Sequence, residues 1–307
     1  MTSGAVGVIG ATSMVGHHAL NLLKDAGYSV FAFSRGVKSP FTDTQGNNWS
    51  NFRLDSPIDT DKARLEDWIC FCPITGLSDH FEMIERSGAR KVVALSSTSR
   101  FTKAASAAGF NADEVNLSEQ LVTSEAKFEA WATRLGIDWV ILRPTLIYDF
   151  VHDKNLALVA HFIKRFGFFP LLGKAGGLRQ PVYAGDVAQA AISALETAFA
   201  ANHDYNLSGG EVLSYKDMVL RIFVYAGRKP RLLKVPLLGF KLLIMGARIL
   251  PRYRHLSSTM AERMNSDLVF DHGKAKADFG YAPAQFLGGG ATLHKDKRDL
   301  KNKTKNF

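Results

Sequence analysis

Cysteine is nearly absent. Cys70 and Cys72 are the only two in 307 residues; one residue apart in an apolar run, they point to opposite faces of a strand and are too poorly aimed to bridge. A disulfide-stapled fold is excluded, and a reducing, cytoplasmic compartment is expected. No uncharged apolar run reaches about 18 residues, and the opening MTSGAVGVIG has no basic stretch ahead of its apolar one, so neither a spanning helix nor a secretory leader is expected. Acidic residues are missing locally. Between Met218 and Ala261 there are nine Lys/Arg and no Asp or Glu, and from His294 to Phe307 there are six basic residues against two acidic ones. The net charge is only +9, so the rest of the chain is net acidic. A nucleic-acid binder would spread basic groups along a groove or interleave them with aromatics. Neither pattern is present, and nucleic acid is not an expected partner.

What is present is a foldable core, since 46% of the residues are hydrophobic and 22% charged, which excludes disorder. Ala5 to Ile9 is a short apolar run, a glycine-bearing turn follows, and His17 to Ala26 has the periodicity of a helix. SVFAFS at 29 to 34 is a second strand after the Gly27 stop, with a weaker one near Phe52 and Leu54. WICFCPI at 68 to 74, KVVALS at 91 to 96 and DWVIL at 138 to 142 are continuous apolar runs of strand length. Helical patterns at 78 to 87 and 117 to 135 separate these three. Buried strands alternating with amphipathic helices imply a doubly wound α/β fold with a parallel sheet. After Pro144 the rhythm changes to helices at 155 to 165 and 186 to 197 with short mixed elements. The expected division is a nucleotide-binding core over 1–149, a substrate lobe over 150–290 from which 178–206 returns to the core, and a mobile basic tail over 291–307.

Gly10-Ala11-Thr12-Ser13-Met14-Val15-Gly16 lies where the first strand hands over to the first helix. Glycine there lets the backbone approach a pyrophosphate, whose charge the helix N-terminus then holds. Ser13 stands where a third glycine is common and must either accept the turn geometry or offer its hydroxyl to phosphate. An acid at the end of the second strand would bind the ribose 2′-hydroxyl; this chain reads Phe33-Ser34-Arg35-Gly36 and has no carboxylate before Asp43. Ser34 and Arg35 therefore favour NADP(H) over NAD(H).

At this point the chain resembles the short-chain dehydrogenase/reductase superfamily in its extended, epimerase/dehydratase-like branch, which has a Rossmann-type core. The resemblance covers nearly all of residues 5 to 287. It rests on GATSMVG at 10 to 16, ALSSTS at 94 to 99, SEAKFEAW at 124 to 131, LRPTLIYD at 142 to 149, RQPVYAGDVAQA at 179 to 190, NLSGGE at 206 to 211 and DHGKAKADFGYAP at 271 to 283. It implies that Asp55 approaches the adenine, that Cys72 and Pro73 line the cofactor cleft, and that Pro144, Thr145, Leu146 and Ile147 pass near the nicotinamide. It also implies that Ser96 and Ser97 end the fifth strand beside the cofactor, with Thr98 as the catalytic hydroxyl. Such proteins place a Tyr four residues before a Lys on one helix, both facing the cofactor. Lys127 is read as that lysine, with its cofactor-holding role, and Thr123 stands where the tyrosine belongs. A threonine hydroxyl is no phenolate-type base, so the proton must come from elsewhere, or the site binds cofactor without turnover. Glu125, Tyr148, Tyr183 and Lys127 itself are the alternatives, and Glu125 lies about 200° around the helix from Thr123. The resemblance further implies a nucleotide-activated or lipid-linked sugar, a sugar-containing diphosphate, as substrate, with Arg179 and Arg263 on its phosphates; Asp186 reads as the cap of the following helix. No metal is expected. VPLLGFKLLIMGARIL at 235 to 250, with charges only at Lys241 and Arg248, reads either as a core helix or, within 231–254, as a peripheral membrane contact.

Overall fold

In a computed structural model, residues 4–34, 41–42, 46, 48–51, 64–101, 112–153, 155–236 and 264–288 are described. Arg35, Asp55, Arg263, the weak strand near Phe52, residues 237–254 and the basic tail lie outside them.

The first half alternates as its apolar runs require. Strand β1 (Ala5–Ile9) leads into helix α1 (Met14–Asp25) and β2 (Ser29–Ser34). The short β3 (Phe41–Thr42) and β4 (Asn48–Asn51) precede β5 (Asp67–Cys70). A 3-10 turn, Ile74–His80, runs into α2 (Phe81–Arg86), so the helix expected over 78 to 87 is split. Then come β6 (Lys91–Leu95), the long α3 (Ala112–Leu135) and β7 (Asp138–Pro144). The remainder carries β8 (Ile147–Tyr148), α4 (Leu156–Phe166), β9 (Phe169–Leu172), β10 (Leu178–Arg179), β11 (Val182–Tyr183), α5 (Ala184–Glu196) and β12 (His203–Leu207). It ends with β13 (Leu213–Ser214), α6 (Tyr215–Tyr225), β14 (Leu232–Val235) and α7 (Gly273–Phe279).

The main sheet runs β12-β7-β6-β5-β1-β2-β4-β3; every pairing is parallel except β3 with β4. This is the doubly wound α/β architecture, a Rossmann-type sheet. Its order reverses at β1, between β2 and β5, which opens a crevice at the carboxyl ends of β1 and β5. One face is covered by α1 and α5. Val15, Ala19 and Leu23 of α1 recur every fourth residue and meet the small Ala188, Ala191 and Ala194 of α5 in one buried cluster, and small side chains let the two helices lie close. The other face buries Trp68, Ile84, Leu121, Phe128, Trp131 and Ala132. A separate core in the second lobe gathers α4, β9, α6, Met264 and Phe286. No helix among the described residues is long and apolar enough to cross a membrane.

Candidate cofactor and active site

The turn after β1 is shaped by two positions that reject a side chain. Gly10 sits at φ +75°, and a Cβ there would lie 2.7 Å from the Cys72 amide nitrogen at the exit of β5. A Cβ on Gly16 would overlap the carbonyls of Gly10 and Ala11. Ser13 donates its N–H to the Gly10 carbonyl (2.8 Å) and its hydroxyl accepts from Gly16 N–H (3.0 Å), capping α1. Ala11 and Val15 are buried beneath the turn, Met14 is half-buried, and the first turn of α1 carries no acid. The Thr12 hydroxyl lies 3.3 Å from the Ser34 hydroxyl, tying the turn to the end of β2. A glycine cradle under the N-terminus of a twelve-residue helix, at the reversal of the sheet, fits a dinucleotide diphosphate. Cys72, half-buried, and Pro73, exposed, follow β5 on the crevice's other side.

Beyond β6 the chemistry departs from expectation. Glu125 is 3% exposed and accepts from the Ser96 hydroxyl (2.5 Å). Arg143 Nη2 donates to Glu125 Oε2 at 2.7 Å and Nε to Oε1 at 3.1 Å, and Arg100 also pairs with Oε2. Arg143 also pairs with Asp204 on β12. Two guanidinium groups thus close on two carboxylates directly behind the strand ends. Both guanidinium groups lie over the Phe101 ring, at 5.4 and 5.7 Å. Thr98 is buried and donates its hydroxyl to the Pro144 carbonyl (3.2 Å), Ser97 Oγ accepts from Ser99 N–H, and Thr145 donates to the Gln180 carbonyl. Leu146 and Ile147 are half-buried beside them.

Helix α3 corrects the assignment of the Tyr/Lys positions. Thr123 and Lys127 are exposed, and the Thr123 hydroxyl donates to the Glu119 carbonyl one turn back (2.8 Å). The inward pair at the same spacing is Leu121 and Glu125, continued by Phe128 and Ala132. Packing of the apolar stripe against the sheet fixes this rotation, and it carries Thr123 and Lys127 away from the strand ends. Neither a phenol nor an amine therefore occupies the inward positions. The stripe 121, 125, 128, 132 was readable in the sequence and would have singled out Glu125 as its one polar member.

The other proton candidates are also engaged. Tyr148 Oη accepts from Leu287 N–H (3.4 Å), and burial pushes its pKa up to about 12. The Tyr183 ring meets His18 edge-on at 5.1 Å. Sequence reasoning missed a cluster beside them. Asp149 Oδ1 accepts the N–H groups of Val151, His152 and Asp153, while Oδ2 lies 2.7 Å from His152 Nδ1. Burial raises the Asp149 pKa, but these hydrogen bonds outweigh it and hold the carboxyl below its usual range. His152 in turn stacks on His17 in the first turn of α1, with ring centroids 4.9 Å apart. Its signal in the sequence was slight, an Asp-x-x-His turn after β8.

In the second lobe Arg179 is buried; one guanidinium nitrogen donates to the carbonyls of Leu178 (2.7 Å) and Ser266, and its carbon stands 5.9 Å from the Tyr215 ring. Asp186, expected to cap α5, lies in its first turn and accepts instead from Ala284 N–H (2.9 Å). No three His, Cys, Asp or Glu among the described residues form a group able to hold a metal.

No family model matches the chain. Among curated proteins it is similar to an Arabidopsis thaliana mitochondrial protein described as NADH dehydrogenase [ubiquinone] 1 alpha subcomplex subunit 9, 31% identical over 97 residues, which is 31% of this chain and 24% of that protein. The chain thus matches about a quarter of the relative's length. Among solved structures it is similar to UDP-glucose 4-epimerase from Thermotoga maritima with UDP-glucose, at TM-score 0.68 and 15% identity, covering 96% of this chain and 99% of the other. UDP-glucuronic acid 4-epimerase from Bacillus cereus in complex with NAD gives 0.66 and 15%, covering 93% and 94%. The chain shares the fold of these sugar-nucleotide epimerases along nearly its whole length.

Proposed function

We propose that this epimerase/dehydratase-like protein binds NADP(H) in the crevice beside β1 and holds it as a resident ligand, without turnover through a Tyr–Lys pair. The observation that carries the reading is Glu125. At the inward position of α3 where a lysine would hold the nicotinamide ribose, there is a carboxylate neutralised by Arg100 and Arg143. Gly10, Gly16 and the N-terminus of α1 would hold the diphosphate, Thr12 and Ser34 would lie near the adenosine ribose, and Arg35 would meet a 2′-phosphate. A bound nicotinamide supplies hydride-transfer chemistry. The hydroxyls of Ser96, Thr98 and Thr145 already donate to the protein, so their role is to orient and to exclude water. A division into a cofactor core over 1–149 and a lobe over 150–290 belongs to the same proposal.

A second reading, turnover of a sugar-containing diphosphate, is favoured by the likeness extending across the second lobe to a structure holding UDP-glucose. One experiment separates the two. NADPH and NADH are titrated by fluorescence; the protein loaded with oxidised NADP is then incubated with UDP-glucose while cofactor reduction and formation of the 4-epimer are followed, and the NADPH-loaded protein is incubated with small carbonyl compounds while cofactor oxidation is followed. Tight NADPH binding with no oxidation is expected. The 2′-phosphate contact is worth about 1.5–3 kcal/mol, so NADPH should bind at least about tenfold more tightly than NADH, and Arg35→Ala should narrow that gap. Equal affinities overturn the NADP(H) assignment. Reduction of the bound NADP by UDP-glucose, or formation of its 4-epimer, establishes the second reading, and NADPH oxidation by a carbonyl compound overturns the first.

A further inference from the structure

The second lobe ends in an apolar tip for which neither the crevice nor the lobe core has a use. At the carboxyl end of α4, Phe166 is 56% exposed and Phe168, two residues on, is 37% exposed, and their rings pack around Phe162 at 4.6 and 5.7 Å. Leu158, two turns earlier on the same helix, is 64% exposed, and Val224 at the end of the adjoining α6 is 74% exposed. Large apolar side chains exposed this far and gathered at one place mark a contact surface; scattered ones do not.

The fold brings a uniformly basic frame to this tip from two distant stretches. Between Lys154 and Gly185 there is no Asp or Glu, and between Met218 and Ala261 there is none. The two stretches meet where Arg228 donates to the Lys164 carbonyl (3.0 Å), the Lys164 amine stands over the Tyr225 ring, and Phe169 N–H donates to the Arg231 carbonyl to begin the β9–β14 pairing. Lys164, Arg165, Arg228, Lys229 and Arg231 are all exposed around the aromatic tip.

We propose that this tip is a peripheral membrane contact, in which Phe166 and Phe168 enter the headgroup boundary of an anionic phospholipid leaflet and the surrounding Lys and Arg meet its phosphates. The occupant follows from charge complementarity. A basic ring around protruding aromatics matches an anionic interface, where each nearby cation contributes about 1 kcal/mol and the rings bury apolar area. A second copy of this chain would set like charges against one another. The contact uses other residues than the 235–250 segment singled out in the sequence, and it requires no helix to lie along the bilayer.

The test is co-sedimentation of the full chain with two kinds of vesicle, phosphatidylcholine alone and phosphatidylcholine containing one quarter phosphatidylglycerol. Binding to the anionic vesicles is expected at low salt and should fade as salt shortens the Debye length to about 8 Å at physiological strength. Phe166→Ser with Phe168→Ser should weaken it by more than about tenfold, since each exposed ring contributes on the order of a kcal/mol by burial. Arg165→Glu with Lys229→Glu should abolish the preference for the anionic vesicles. All four side chains are exposed, and an unchanged melting temperature shows that each variant is folded. No binding at low salt overturns the proposal, as does binding that both variants retain in full, which would locate the contact elsewhere in the chain. A concentration-dependent dimer that the Phe variant dissolves, without vesicle binding, assigns the tip to self-association and equally overturns it.

Discussion

Glu125 is the centre of the buried ion cluster at the site. Its carboxylate is closed in by Ser96, Arg100 and Arg143, and Arg143 is itself 7% exposed. Removing one member of a buried ion cluster leaves its partners charged and desolvated, which costs about 3–5 kcal/mol. Glu125→Ala should lose that much in urea unfolding, the residual pairing of Arg143 with Asp204 keeping it toward the lower end. Glu125→Gln, which keeps the shape and two acceptor sites, should lose less. If Glu125→Ala is neutral, the cluster does not hold the strand ends together. Asp186 presents the opposite case. Burial raises its pKa, with the Ala284 N–H and the charge of His18 only partly opposing. A carboxyl whose folded pKa is raised binds its proton more tightly when folded, so its ionised form subtracts stability above the folded pKa and nothing below the unfolded one. Asp186→Asn retains an oxygen for Ala284 N–H and should raise the melting temperature at pH 7, with the gain vanishing as the pH falls through the range in which the carboxyl protonates. A pH-independent difference would remove this explanation.

Among the elements, the turn from β1 into α1 has the least room for change. A methyl group on Gly16 must displace the Gly10 and Ala11 carbonyls, which are backbone atoms fixed by the sheet. Overpacking of this kind costs about 1–3 kcal/mol, and because the displaced atoms form the cradle, Gly16→Ala should lose NADPH affinity beyond its loss of stability. Calorimetric titration at a temperature where the variant is still folded checks this, and wild-type affinity would detach the cradle from the cofactor. This turn was legible in the sequence because glycine spacing, strand and helix all agree locally. The strands were legible for the same reason: β1, β2 and β6 fall where their apolar runs stand, and β7 continues two residues past its run to Pro144. The rotation of α3 was legible only from its apolar stripe, because an i, i+4 pair on a helix fixes a spacing without fixing a face. Thr123–Lys127 and Leu121–Glu125 satisfy it equally, and only the neighbours Phe128 and Ala132, pressed on the sheet, decide. The Arg100–Glu125–Arg143–Asp204 cluster was illegible for a further reason, since its members come from four separate segments that meet only when β7 pairs with β6 and β12.

At the scale of the molecule, residues 273–288 stitch the two lobes. Ala275 and Tyr281 enter the core shared by α1 and α5, and the Tyr281 hydroxyl donates to the Ser208 carbonyl (3.0 Å). Five residues later Phe286 is fully buried in the core of the second lobe, and its carbonyl accepts from Arg221 (2.8 Å). A strap anchored in both cores should make them unfold together. The tryptophans give a selective probe, because Trp49, Trp68, Trp131 and Trp139 all precede the second lobe, whereas far-ultraviolet circular dichroism reports both lobes. Phe286→Ala empties a buried aromatic site and should cost about 3–5 kcal/mol, a fall in melting temperature of about 5–8 °C for a chain of this size. Although Phe286 touches no tryptophan lobe core, the fluorescence and dichroism midpoints should fall by the same amount. NADPH at about a hundred times its dissociation constant should return about 2.7 kcal/mol to both. If fluorescence holds its midpoint while dichroism splits into two steps, the strap does not couple the lobes. Ligand binding at the β1 turn would then stabilise the first lobe alone.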